Sequence, residues 1–438
     1  MVGMRGISRR QFLAGAGIGA AGLATGGFGS LANAALAKPS KGPRLPDPKT
    51  SGIDHIVVLC MENRSFDHFL GWVPNANGKQ RGLTYRDNDG HPHTTHHLTE
   101  WQGCGFADPD HGYEGGRIQL NGGKCNGFRK GDNDDFALGY YTRDDLPTTS
   151  ALVDNFTIFD GWFCGILGPT YPNRFYTHAA ATDRISNTMD TSILPTIWDS
   201  LSAAGVPANY YFSDLPFIGL FGQRMLPFCR RIEHFYADAA AGTLPAYSYL
   251  DPYFLGEDQG GSNDDHPHAD IRRGQAFVSE VVRALTQSPL WARTLLIVTY
   301  DEWGGFFDHV RPPRLPDLFV PTATEEHNTA GFRVPTYLVS PFAPKGRVAH
   351  GQFDRSSILK LVEWRFGLQS LTPRDAAAAN PATMLDFSRP NLTPPSIPMV
   401  LDPGPHVCGS PDTGMAADDV MWQELASLPI MRSFESVS

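Results

Sequence analysis

Apolar positions along the chain fall into short runs that switch between two periods. Ile53-Asp54-His55-Ile56-Val57-Val58-Leu59 and Leu295-Leu296-Ile297-Val298-Thr299-Tyr300 are apolar almost throughout. Such runs suit strands covered on both faces. Residues 334–339 read as a third strand and residues 208–212 as a short fourth. Helical spacing runs over 193–204, ending at Gly205, and over about 356–366. A further helix pattern at 270–286 sets Phe277, Val278, Val281, Val282 and Leu285 on one side. Strands alternate with helices, which predicts an α/β fold around a mostly parallel central sheet flanked by helices.

Residues 74–150 break the pattern. They are polar, rich in Gly, His, Asp and aromatics, and too long for a plain connection. They read as a loop-rich insertion that shapes a site. Residues 38–50 read as a Pro/Lys linker. From about 371 the chain is Pro-rich and is expected to wrap over the domain. No internal repeat is present.

The 438 residues include 45 Gly and 35 Pro, which excludes a coiled coil, a helical solenoid or a collagen-like rod. The formal net charge is -10, which argues against a nucleic-acid partner. Residues 1–37 carry Arg5, Arg9 and Arg10 and no acid, so removing them leaves -13. That leader has paired arginines, a weakly apolar Gly/Ala stretch and small-x-small cleavage sites at Ala32-Asn33-Ala34 and Ala35-Leu36-Ala37. It predicts a twin-arginine signal peptide, with the export machinery as a partner. The mature chain is then expected to be secreted, periplasmic or cell-wall associated. No stretch approaches the ~20 apolar residues of a transmembrane anchor.

Six cysteines allow many pairings. Cys104 and Cys125 flank one Gly-rich loop and are the expected bridge, with free buried thiols the other reading. No CxxC pair is present.

Four segments carry chemistry. Glu62-Asn63-Arg64-Ser65-Phe66-Asp67-His68 follows the first buried strand. Asp301-Glu302-Trp303-Gly304-Gly305-Phe306-Phe307-Asp308-His309 follows the second. Ligands of open α/β sheets bind outside the carboxyl ends of strands. Carboxylates gathered there repel unless a cation neutralises them. Glu62, Asn63, Asp301 and Glu302 therefore form a candidate divalent-metal set, although Asp and Asn also suit turns and caps. In Gly168-Pro169-Thr170-Tyr171-Pro172-Asn173-Arg174, Pro172 suits the first position of a helix, which sets Thr170 at its N-terminus. Free N–H groups there attract an anion, and a hydroxyl beside a metal can attack phosphorus. On spacing alone a plain helix cap is the simpler reading. His266, in Asn263-Asp264-Asp265-His266-Pro267, can protonate a leaving oxygen or bind phosphate. His111, in Asp108-Pro109-Asp110-His111, shares that ambiguity, and solvated loop histidines are the alternative for both.

Taken in order, these segments resemble the bacterial phosphoesterase family of phospholipases C and a related acid phosphatase, over about residues 53–367. The resemblance implies an alkaline-phosphatase-like fold, with 51–438 as a single domain. It implies metal binding by Glu62, Asn63, Asp301 and Glu302, and Thr170 as nucleophile. It implies that His266 acts in catalysis and that His111 lines the substrate site. The ion is expected to be calcium, magnesium, manganese or zinc, and the substrate a phospholipid or another phosphoester. Departures are Arg355, where relatives usually carry His, and the absence of the long C-terminal extension of haemolytic phospholipases C. The expected activity is phospholipase C through a phosphothreonine intermediate, releasing phosphocholine. The alternative is an acid phosphatase acting on phosphomonoesters. A sulfatase would need Cys-x-Pro-x-Arg, which Cys164-Gly165-Ile166-Leu167-Gly168 lacks. A metal- or lipid-binding protein without turnover gives Thr170 no purpose. Trp101, Phe106, Tyr113, Phe128, Phe136, Tyr140 and Tyr141 could cage a quaternary ammonium, but core packing is expected for most of them.

Overall fold

The computed structural model describes residues 45–317, 328–407 and 417–435. The predicted leader lies outside them. Of the predicted linker, Pro48–Thr50 forms a single 3-10 turn capped by Asp47.

Eight strands build one sheet: β1 (His55–Met61), β2 (Thr157–Phe159), β3 (Ala208–Phe212), β4 (Cys229–Arg231), β5 (Tyr247–Asp251), β6 (Thr294–Tyr300), β7 (Thr336–Val339) and β8 (Arg347–Ala349). Their order is β8-β2-β7-β6-β1-β5-β3-β4. The pairs β6-β1-β5-β3-β4 are all parallel, and β7 alone runs antiparallel to both its neighbours. The sheet is therefore mostly parallel, as the apolar runs predicted. β6 buries every residue and β1 all but His55. Each buried Val, Leu or Ile in them contributes roughly 1.5–3 kcal/mol.

The helices are α1 (Phe66–Leu70), α2 (Tyr113–Leu120), α3 (Pro147–Asn155), α4 (Thr170–Ala179), α5 (Ile197–Ala203), α6 (Ile232–Ala241), α7 (Ile271–Gln287), α8 (Ser356–Phe366), α9 (Pro373–Ala377), α10 (Ala417–Ser427) and α11 (Pro429–Glu435). The predicted stripe of α7 is buried, from Phe277 to Leu285, and Asp270 caps the helix by accepting from Arg272 N. α5 starts four residues later than the pattern suggested. Pro195 disfavours helical backbone at Leu194. The start is fixed by a capping box in which Thr196 and Asp199 satisfy each other's backbone N–H.

Two further expectations change. Cys104 is disulfide-bonded, but Cys125 is a buried free thiol, so the predicted Cys104–Cys125 bridge is not formed. Chain proximity does not decide pairing, because Cys125 turns inward against the core. The Pro-rich C-terminal part also carries helices. Trp422 of α10 is fully buried and stacks on Phe254 at 4.1 Å. In the insertion, Phe128, Phe136 and Tyr141 are fully buried, which assigns them to the core.

One buried acid pair has a pH consequence. Burial and the neighbouring Asp375 carboxylate of α9 push the pKa of Glu363 in α8 from 4.5 up to about 8. The folded chain keeps a proton there that the unfolded chain releases. Stability therefore falls as pH rises from about 4.5 through about 8. Glu363→Gln mimics the protonated form. Thermal melts are expected to match the parent near about pH 4 and to exceed it near about pH 8.5. Equal shifts at both pH values would contradict this.

Candidate active site

The parallel register carries the two acidic segments to one edge of the sheet. Met61 pairs with Tyr300, and Asp301 N donates to Met61 O at 3.0 Å. Glu62 and Asp301 thus emerge side by side. Asp251 ends β5 and joins them from the other neighbour of β1. Asn63 turns at once, with φ of 55°, and Gly304 packs under it. A Cβ on Gly304 would meet Asn63 O at 2.2 Å, so only glycine fits there.

The repulsion expected among these carboxylates is met by a side chain of the protein. Arg174, fully buried, donates Nη2 to Glu62 Oε1 at 2.6 Å and Nη1 to Asp251 Oδ1 at 2.7 Å. Its Nε donates to Glu62 Oε1 at 3.0 Å and to Asp301 Oδ2 at 3.1 Å. The carboxylates in turn hold its pKa well above the ordinary arginine value. Asp251 also accepts from Tyr210 Oη, and burial still pushes its pKa up to about 6. The sequence alone assigns Arg174 no role. Its spacing, one helical turn after Thr170, was the available signal.

Thr170 is the first residue of α4, after Pro169 at the cap. Pro172 sits at the third helical position rather than the first. Its missing N–H is one of the four that a helix start leaves unbonded anyway. Capping is done by Asn187, whose Oδ1 accepts from Tyr171 N at 2.8 Å, while Asn173 ties down the preceding loop by donating to Gly168 O and accepting from Ile166 N. Thr170 Oγ1 is buried with no hydrogen-bond partner, so a plain cap does not describe it. A buried hydroxyl is costly when unsatisfied, and the start of α4 favours negative charge.

Two histidines close the site from loops. His111 Nδ1 donates to Pro109 O at 2.8 Å, and its Nε2 lies 3.7 Å from Glu302 Oε1. His266 Nδ1 lies 3.2 Å from Glu257 Oε2, and the two imidazoles meet edge to face with centroids 5.5 Å apart. Donor atoms of Asp108, His111 and His266 lie within 4.8 Å of one another, as do those of Glu62, Glu257 and His266. Glu302 is fully buried, and burial, with Asp301 adding to it, pushes its pKa up to about 8, while His111 opposes. Glu62, Asn63, Asp301, Glu302, His111 and His266 are linked through these contacts, and Thr170 stands at the start of the helix that carries Arg174. Asp108, Asp251 and Glu257 join this cluster without having been predicted. Asp108 lies three residues before His111, whereas nothing local marks Glu257.

Arg355 lies apart from the donor set. Fully buried, it donates to Tyr300 O and to Thr177 Oγ1 at 2.5 and 2.8 Å, tying β6 to α4. Asp67, Asp308 and His309 form a second cluster, saturated by Arg333 with bonds of 3.0 Å to both carboxylates.

A divalent cation fits the first cluster. Asn63 Oδ1 and Glu302 Oε1 are buried oxygens with no hydrogen-bond partner. Arg174 is committed to three carboxylates and leaves the pocket anionic. An anionic ester then needs a further positive charge. Imidazoles beside the oxygen donors widen the choice toward manganese and zinc.

Residues 53–369 match the phosphoesterase family. The chain belongs to this family. Among curated relatives of this phosphoesterase, non-specific phospholipase C6 of Arabidopsis thaliana is 33% identical, over 75% of this chain and 71% of its own. Phospholipase C B of Mycobacterium tuberculosis is 30% identical, over 90% of this chain and 89% of its own. Among solved structures, murine ectonucleotide pyrophosphatase/phosphodiesterase 5 is 11% identical, over 73% of this chain and 96% of its own, with a TM-score of 0.40.

Proposed function

We propose that this phosphoesterase is a phospholipase C that releases diacylglycerol and a phospho-head group, with phosphocholine preferred. The observation that carries the reading is the buried, unbonded hydroxyl of Thr170 at the start of α4. It stands one turn before the arginine that gathers Glu62, Asp251 and Asp301. Relatives named as phospholipases C, plant and mycobacterial, support the substrate class.

Thr170 Oγ, its proton passing to solvent water, attacks phosphorus in line, and the bond from phosphorus to the glycerol oxygen breaks. His266 gives its proton to that oxygen. Glu257, 3.2 Å from His266 Nδ1, stabilises the imidazolium that precedes this transfer. Water then attacks the phosphothreonine, and Thr170 recovers its hydroxyl as the phospho-head group leaves. His111 orients a phosphoryl oxygen. A divalent cation held by Glu62, Asn63, Asp301 and Glu302 would acidify the hydroxyl and polarise the phosphoryl group. Arg174 keeps two of those carboxylates in place. Export by the twin-arginine machinery belongs to the same proposal and rests on the leader motif.

The test is a parallel assay of p-nitrophenylphosphorylcholine and p-nitrophenyl phosphate. Diester turnover is expected to exceed monoester turnover by about tenfold or more. EDTA is expected to abolish it, and added divalent metal to restore it. Monoester preference would favour the acid phosphatase reading. Full activity in EDTA would remove the metal from the account.

A further inference from the structure

Eight large hydrophobic side chains are exposed among the described residues, and four of them lie in one segment. Leu392, Met399, Leu401 and Val407 are exposed by 54%, 68%, 79% and 63%. Loose packing does not account for this, because the same segment is firmly pinned. Ile397 is only 4% exposed, Ser279 Oγ donates to Pro398 O at 2.5 Å, and Arg283 donates to Ile397 O at 3.1 Å. Asp402 pairs with Arg273 at 2.9 Å. The backbone is therefore anchored between outward-facing apolar side chains. Residues 390–401 also contain no charged side chain, on a chain whose net charge is -10.

The segment is joined to the loop that carries Glu257 and His266. Arg273 links Asp402 to the carbonyls of Gly260 and Gly261, each at 2.6 Å. Gly260 is so close to His406 that a Cβ would meet its carbonyl at 2.1 Å. Gln102 donates to His406 O at 2.7 Å and to His268 O at 3.4 Å. Pro405 and Asn263 line one cavity of about 850 Å³. Asp402 and His406 at the end of this segment therefore meet the catalytic loop, and Ile397 and Pro398 before them pack along α7.

We propose that residues 399–407, the part of the segment that leads to the catalytic loop, form the surface on which the enzyme seats itself at a zwitterionic phospholipid layer, with Met399 and Leu401 entering the interface. This rests on the phospholipase C reading, which requires access to a lipid packed in a layer. A soluble ester would give these side chains no use. An uncharged apolar edge on an acidic chain suits zwitterionic lipid and not an anionic surface.

The test is the double variant M399E/L401E, altered only at exposed positions. Co-sedimentation with phosphatidylcholine vesicles is measured in EDTA, beside turnover of vesicle lipid and of p-nitrophenylphosphorylcholine in metal. Vesicle binding and vesicle turnover are expected to fall by about tenfold or more, with soluble-ester turnover within about twofold of the parent. Unchanged vesicle binding would overturn the proposal, as would a parallel loss of soluble-ester turnover. Equal binding of the parent to phosphatidylglycerol vesicles would overturn the lipid preference. If the parent hydrolyses neither substrate, the phospholipase reading fails, and the binding arm still decides the surface.

Discussion

Replacing Thr170 with alanine is expected to lower phosphodiester turnover by at least about a thousandfold while leaving the melting temperature nearly unchanged. The two halves of this expectation come from separate observations. The hydroxyl has no partner inside the protein, so its loss breaks no bond of the fold. The start of α4 is capped by Asn187 and its preceding loop is held by Asn173, both of which the substitution leaves alone. The activity loss follows from the role proposed for the hydroxyl, which no neighbour can take over. Serine at 170 keeps the reacting oxygen and should recover a substantial part of the rate. Steady-state kinetics on p-nitrophenylphosphorylcholine, with thermal melts on the same samples, check both halves. A melt lowered as much as the rate would assign Thr170 to structure.

Arg174→Met is expected to cost about 3–5 kcal/mol of stability, the largest structural effect among these substitutions. Methionine fills much of the volume but leaves Glu62, Asp251 and Asp301 buried without their shared counter-charge. Acid should relieve part of the defect, because protonation removes the repulsion among the three. The urea midpoint of the variant is therefore expected to lie furthest below the parent near about pH 8 and closer to it near about pH 5. A deficit independent of pH would mean that lost packing, not charge, sets the cost.

Much of this arrangement was legible in the sequence because it is local. Continuous apolar runs identified β1 and β6, and the acids directly after them had to sit at strand ends. Parallel pairing then made two distant segments neighbours. A proline close after Thr170 marked the start of α4 for a similarly local reason, although it occupies the third helical position and not the first. The parts that were not legible depend on contacts between remote segments. Arg174 finds its three carboxylates at the ends of three strands, and no spacing within α4 names them. Glu257 reaches His266 through a loop without periodicity. Cys104 lies near Cys125 in sequence, yet Cys125 points into the core. The later start of α5 came from Pro195 and the Thr196 capping box, which outweighed an apolar pattern beginning at Ile193. Arg355 departs from the resemblance, and its place beneath the site explains why the donor set is unaffected: it bonds Tyr300 O and Thr177, not a proposed ligand.

The central claim is that a protein hydroxyl becomes covalently attached to phosphorus. The most direct measurement is acid quenching of the metal-replete enzyme during turnover of a phosphorylcholine diester, followed by peptide mass spectrometry. The account predicts a phosphocholine adduct on the peptide containing Thr170, absent from the T170A enzyme. An adduct on His266 or another residue, or none during sustained turnover, would contradict it.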